Sequence, residues 1–219
     1  MPNLFKPSIT MEVPSKIISE QMRNEKTDEK TDEKTDKNDE ISSVEKWDEM
    51  NLPENILRGI YAYGYEIPSP IQKKAIMPMR SGRDLIAQAQ SGTGKTATFV
   101  IGSLCSIDVS SKKTQVICMS PTRELSMQIE SVFKGLSQFM EGLRIELLVG
   151  GISVDTNIKS LKENVPHVVV GTTGRVYDMI RRRALQTNNI KTFLLDEADE
   201  MLSSGFKEQV KSIFQGLPE

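Results

Sequence analysis

Two cysteines, one histidine and one tryptophan in 219 residues leave little material for several kinds of chemistry. Cys105 and Cys118 stand in apolar surroundings without metal-type spacing, so neither a disulfide scaffold nor a zinc site is expected, and a reducing compartment is the default. The single His, His167, opens an apolar run and reads as a strand residue rather than a catalyst. No stretch approaches the ~20 apolar residues of a membrane span. The first 25 residues mix Pro, Lys and Glu without a continuous apolar stretch, so no secretory signal is expected, and the early acids disfavour a mitochondrial presequence. A surplus of one charge is lacking too: 28 Lys and Arg face 30 Asp and Glu, so composition alone does not announce a nucleic-acid binder. Residues 1–46 carry 8 of the basic and 11 of the acidic side chains, leaving 20 and 19 for the remainder, so the acidity belongs to the N-terminal arm.

What is present falls into two parts. Lys26 to Lys37 reads KTDEKTDEKTDK, a four-residue repeat with no apolar side chain, which cannot bury enough surface to offset its ordering entropy. Residues 1–44 are therefore expected to be a disordered charged arm, a solvated spacer rather than a partner-binding arm. From residue 45 to 219 the chain reads as one α/β domain. Apolar runs recur at Asp84–Ala87, Gln115–Met119, Arg144–Val149, His167–Val170 and Thr192–Leu195. Helical patterns occupy Pro53–Tyr63, Ser69–Met79, Lys95–Ile107, Arg123–Phe139, Val154–Glu163, Arg175–Arg183 and an acidic-led segment after Glu197. Runs apolar on both faces that alternate with helices predict a parallel sheet covered on both sides, with function at the carboxyl ends of its strands.

Two segments carry chemistry. After the first run comes Ala89-Gln90-Ser91-Gly92-Thr93-Gly94-Lys95-Thr96, directly ahead of a helical pattern. Gly92 and Gly94 let successive N–H groups, from Ser91 through Ala97, point at an anion, and the following helix adds its positive end. Lys95 is placed to hold the outer phosphates of a nucleotide and the Thr96 hydroxyl to ligate Mg²⁺. The strict phosphate-loop pattern fails only at its first position, where Ala89 stands. The second segment is Phe193-Leu194-Leu195 running into Asp196-Glu197-Ala198-Asp199. A buried strand there delivers carboxylates to its polar end: Asp196 to hold Mg²⁺ through water, Glu197 to orient or deprotonate an attacking water. Acidic residues also favour the first turn of a helix, but a phosphate loop one hundred residues upstream makes that bland reading the weaker one.

These residues resemble the DEAD-box RNA helicases from about Trp47 to Glu219. The Asp196–Asp199 tetrad matches that family's signature and Ala89–Thr96 its phosphate loop, the Ala included. The resemblance implies a RecA-like fold, ATP and Mg²⁺ as cofactors, Lys95, Asp196 and Glu197 as catalytic residues, and Asp199 in coupling between motifs. Gly64-Tyr65-Glu66-Ile67-Pro68-Ser69-Pro70-Ile71-Gln72 looks like the adenine-reading segment, with the Gln72 amide donating to and accepting from the adenine edge, Tyr65 and Ile67 along the base, and Trp47 capping it where the family usually has Phe. Pro121-Thr122-Arg123-Glu124-Leu125, Gly150-Gly151 and Thr172-Thr173-Gly174-Arg175 match motifs that grip the backbone of single-stranded RNA without reading bases. Thr173 stands where the family almost always has Pro, which implies a less preorganised loop.

The resemblance also implies a strand ending in Ser-Ala-Thr beyond Leu217-Pro218, and then a second domain of like fold whose arginines complete the ATP site. A chain that stops at Glu219 is expected to bind nucleotide, hold RNA weakly and unwind almost nothing. Leu57–Gly64 and Glu197–Leu202 resemble the translation-initiation subgroup, which includes a nuclear relative that clamps spliced messenger RNA, and Asp178–Arg183 leans toward the latter. A monomer in cytoplasm or nucleus, with translation or splicing scaffolds as protein partners, is the accompanying expectation. The alternative is a non-enzymatic short paralogue that occupies a helicase's partner. A transporter or GTPase is disfavoured, because the sequence has neither an LSGGQ segment nor an Asn-Lys-x-Asp guanine reader.

Overall fold

Strands that are apolar on both faces can be satisfied only by a sheet covered twice, and the computed structural model of the chain builds one. It describes residues 8–11, 44–90, 92–203 and 205–218. Six strands form one parallel sheet: β1 Ser8–Met11, β2 Leu85–Ile86, β3 Val116–Ser120, β4 Ile145–Leu148, β5 Val168–Thr172 and β6 Thr192–Leu195, in the spatial order β2-β1-β6-β3-β5-β4. The helices are α1 Glu54–Ala62, α2 Pro70–Arg80, α3 Lys95–Leu104, α4 Arg123–Leu136, α5 Val154–Glu163, α6 Thr173–Arg181, α7 Ala198–Ser203 and α8 Lys207–Gln215, preceded by a short 3₁₀ turn, Trp47–Met50.

Alternation along each strand sorts the core into two halves. Val116, Cys118, Val168, Val170 and Leu194 face a cluster built with Trp47, α1, α2, α3 and α4. Their neighbours Ile117, Met119, Val169, Phe193 and Leu195 face a second cluster with α5, α6, α7 and α8. His167 is buried just ahead of β5, where its Nδ1 accepts the Arg144 N–H at 3.0 Å, a structural use that matches the non-catalytic reading.

Within the segment expected to be a charged arm, Ser8–Met11 are the described residues before residue 44. These four residues pair in parallel with β2 (Thr10 opposite Leu85) and with β6 (Ser8, Ile9 and Thr10 opposite Thr192, Phe193 and Leu194), so they form an interior strand. The physical reason lies in their composition: Ser-Ile-Thr-Met has no charge, unlike the repeat from Lys26 to Lys37, which lies outside the described residues. Helix α6 also starts earlier than expected, because Thr172 serves as its N-cap residue and Thr173 as its first helical residue.

Candidate functional site

The phosphate loop, the acidic segment at Asp196 and the three loops at Pro121–Arg123, Gly150–Gly151 and Thr172–Arg175 follow β2, β6, β3, β4 and β5, and so share the carboxyl end of the parallel sheet. The phosphate loop leaves β2 and enters α3 through Gly94, the N-cap residue of that helix, whose φ of +88° lies in the left-handed region that glycine occupies without a steric cost. Gly92 shares that conformation, at +79°. A Cβ on Gly94 would also lie 2.7 Å from Gln72 Nε2. The loop is closed on itself: Lys95 Nζ donates to the Ala89 carbonyl at 2.7 Å, and Thr93 Oγ1 donates to Gln90 O at 2.7 Å. Thr96 and Ala97 follow on the first turn of α3. Ser91, the remaining loop residue, lies outside the described residues.

Asp196 continues β6 by one residue; its N–H donates to the Met119 carbonyl of β3 at 2.9 Å. Its side chain and Lys95 line one small cavity of about 20 Å³, room for a single water, together with Leu85, Ala87, Thr98 and Phe99. The strand end and the phosphate loop, far apart in sequence, are therefore brought to one place. The next residue, Glu197, has φ +52°, an uncommon conformation for a residue with a Cβ. Left-handed backbone of this kind is held only where the surroundings over-determine it, and it turns the chain from β6 into α7, on which Asp199 lies. Cys118 is buried near Asp196, and burial first and that carboxylate second push its thiol well above the ordinary range. Burial likewise raises Cys105, to about 11, so neither cysteine supplies a thiolate.

Gln72 does two jobs in the fold. Its Oε1 accepts the Ser69 N–H at 2.7 Å, closing the start of α2, and its Nε2 reaches the Gly94 carbonyl at 3.5 Å. The residue expected to read a base is thus only 3 % exposed and touches the phosphate loop. Of the two residues expected along the base, Ile67 is 70 % exposed and Tyr65 half-buried, and burial raises the Tyr65 phenol above its ordinary pKa. Trp47 departs from the expectation of a base cap. It is fully buried among the large core residues, so its ring has no surface to lay on a base in this conformation.

The other three motifs leave β3, β4 and β5, which are neighbours in the order β3-β5-β4. Thr122, after Pro121, caps α4, its Oγ1 accepting the Leu125 N–H at 3.2 Å. Arg123 is exposed and donates from Nη1 to the Gly150 carbonyl at 3.1 Å. Gly151 has φ +86°, which favours glycine, and a Cβ there would lie 2.3 Å from Arg123 Nη1, so the guanidinium would have to move aside. Thr172 and Thr173 start α6, and Gly174 is exposed. Thr173 is buried with its Oγ1 lacking a hydrogen-bond partner among the described residues. Arg175 turns its guanidinium inward, onto the Ile152 carbonyl at 2.8 Å and onto Asn157 Oδ1. Reading the sequence missed Asn157 and the Glu146 behind it. Glu146 left a signal, a charge inside the apolar run of β4; Asn157 left none.

The donor set suits a hard divalent cation shared with a phosphate ligand. Among the described residues no cluster of three or more His, Cys, Asp or Glu side chains forms an all-protein cage, whereas one strand-end carboxylate and one hydroxyl at the helix start fit an ion that keeps waters and phosphate oxygens.

Comparison with known proteins agrees with this arrangement. Residues 69–219 match the model of the DEAD/DEAH box helicase family. The chain is 54% identical over 180 residues to the ATP-dependent RNA helicase fal1 of Schizosaccharomyces pombe, covering 82% of this chain and 45% of that one. It is 55% identical over 177 residues to the ATP-dependent RNA helicase eIF4A of Pyricularia oryzae, covering 81% and 44%. The chain thus spans about half the length of the curated relatives it matches. Among solved structures, a DEAD box protein from Methanococcus jannaschii superposes with a TM-score of 0.74 at 37% identity, over 79% of this chain and 47% of that one. Dbp5 of S. cerevisiae bound to RNA and ADP BeF3 superposes with a TM-score of 0.72 at 37% identity, over 80% and 44%.

Proposed function

We propose, from the premise that this chain belongs to the DEAD/DEAH box helicase family, that it binds Mg-ATP and couples its hydrolysis to a grip on single-stranded RNA. The observation that carries the nucleotide half is the shared cavity of Lys95 and Asp196 beside the N-terminus of α3. Lys95 exchanges the Ala89 carbonyl for phosphate oxygens, and backbone N–H groups from Gly92 to Ala97 line the anion's seat. Thr96 and Asp196 would hold Mg²⁺, the latter through water; the ion would supply charge neutralisation at the outer phosphates. Glu197 holds or takes a proton from the attacking water. Adenine is favoured over guanine because Gln72, with one bond of each kind already made inside the fold, retains one N–H and one lone pair for a base edge.

The RNA half rests on the row of loops at Pro121–Arg123, Gly150–Gly151 and Thr172–Arg175. Hydroxyls and backbone groups in that row suit sugar and phosphate, so low sequence selectivity and a strong salt dependence are expected. Duplex unwinding requires a second domain that supplies arginines to the ATP site; without them hydrolysis slows by roughly 10³–10⁵. The resemblance of Leu57–Gly64 and Glu197–Leu202 to the translation-initiation subgroup favours a role in translation initiation or messenger RNA processing, in cytoplasm or nucleus and with scaffold partners. Among the described residues no helix is long and apolar enough to cross a membrane.

The test is calorimetric titration with Mg-ADP, Mg-ATP and Mg-GTP, repeated on Lys95→Ala and Gln72→Ala. Saturable, adenine-selective binding that disappears in the first variant and loses selectivity in the second is expected. No binding of any nucleotide by the wild-type chain would overturn the reading and promote partner binding without catalysis in its place.

A further inference from the structure

We infer that Asn157 and Glu146 are positioning residues for the Gly150–Ile152 loop, acting through Arg175; the inference rests on the reading of that loop as part of an RNA-backbone grip. Four elements are tied by a continuous set of polar contacts. Arg175, in the first turns of α6, donates from Nη2 to the Ile152 carbonyl at 2.8 Å and from Nη1 to Asn157 Oδ1. Asn157 lies on α5 and is 2 % exposed; its Nδ2 donates to Glu146 Oε1 at 3.5 Å. The other carboxylate oxygen of Glu146, on β4, accepts the Ser160 hydroxyl at 2.7 Å. From Glu146 the chain runs through the end of β4 into the loop, and from the loop into α5, so the contacts close a ring around it.

The amide is the informative member. A guanidinium can only donate and an ionised carboxylate can only accept, so Asn157, standing between them, has one permitted orientation: oxygen toward Arg175, nitrogen toward Glu146. No other side chain of that size satisfies both neighbours. Aspartate would accept from Arg175 but set a second anion against Glu146, and alanine would leave both half-buried groups short of a partner. The relay therefore fixes the Arg175 fork, and the fork fixes the Ile152 carbonyl. Arg123 holds the Gly150 carbonyl from the other side. Carbonyl oxygens repel an approaching phosphate, and the two arginines engage those on either side of Gly151, which itself must be glycine for Arg123 to lie where it does.

The polarity of the relay can be reversed by substitution. In Asn157→Asp the relay is broken; in Asn157→Asp with Glu146→Gln it is rebuilt with reversed polarity, because the new amide nitrogen can donate to the new carboxylate while its oxygen still accepts from Ser160. Binding of a fluorescent oligouridine by the whole chain in the presence of Mg-ADP is the readout, with Mg-ADP affinity and the thermal midpoint measured alongside. Asn157→Asp is expected to weaken RNA binding about tenfold, the size of one mis-paired buried hydrogen bond, with Mg-ADP affinity within about twofold of wild type; the double variant recovers most of the loss. Wild-type RNA binding that Asn157→Asp leaves unchanged overturns the inference alone. Joint loss of RNA and Mg-ADP binding, or no recovery in a double variant whose thermal midpoint is restored, also overturns it, since either marks general damage rather than loop positioning. Failure of the wild-type chain to bind the oligouridine overturns the RNA reading itself, and this inference falls with it.

Discussion

Glu197 carries both the chemistry proposed for the site and an unfavourable backbone, at φ +52°. A residue with a Cβ in this region costs roughly 1–2 kcal/mol relative to glycine. Glu197→Gly is therefore expected to raise stability by about 1 kcal/mol in urea titration while abolishing hydrolysis, whereas Glu197→Gln abolishes hydrolysis with stability unchanged. Thr173, in a loop proposed to hold the RNA backbone, presents a local defect of another kind. It is the first helical residue of α6, a position that proline favours, and it buries a hydroxyl with no partner among the described residues. Thr173→Pro is expected to stabilise the chain by about 0.5–1 kcal/mol and to tighten oligouridine binding, read from the same denaturation and binding curves. Both positions were legible from sequence as special, one by its motif and one by its departure from it. That Glu197 is left-handed and Thr173 unpartnered is a property of the turns they occupy, which composition does not encode.

At the scale of elements, the helices that carry the site are placed by close contacts that periodicity does not register. Gly59 lies within α1, where alanine would be the better helix former by about 1 kcal/mol. A Cβ there would lie 2.0 Å from the Leu136 carbonyl at the end of α4, so the two helices touch backbone to side-chainless backbone. Gly59→Ala is accordingly expected to destabilise by about 2 kcal/mol or more, against its helix propensity, with a lower thermal midpoint as the check. Element identity was well marked in the sequence: the parallel runs β2 to β6 and helices α1 to α6 lie where the alternation of apolar segments and helical patterns put them, within a few residues, while the one helix expected after Glu197 is two, α7 and α8. Their ends were not. Helix α4 stops at Leu136 rather than Phe139, and α6 begins at Thr173 rather than Arg175, because caps and neighbouring backbone decide ends while periodicity decides interiors.

At the scale of the whole molecule, β1 is the feature with the widest reach. It sits between β2, which leads to the phosphate loop, and β6, which leads to Asp196, so the strands ahead of both parts of the proposed nucleotide site pair with the same four residues. Removing residues 1–43 is expected to lower the thermal midpoint by several degrees, about 2–4 °C for each kcal/mol at this size, and to speed amide exchange in β6. An unchanged midpoint and unchanged exchange would count against β1 as a structural strand. By itself the sequence determined the class of fold, the phosphate loop, the acidic strand end and the family, because periodicity, glycine spacing and short motifs are local and each carries its own physical reason. Which strand lies beside which, the burial of Trp47 in the core, and the relay from Glu146 through Asn157 to Arg175 were decided only by tertiary structure. Those depend on pairings and polar contacts between residues distant in the chain, for which no local pattern exists.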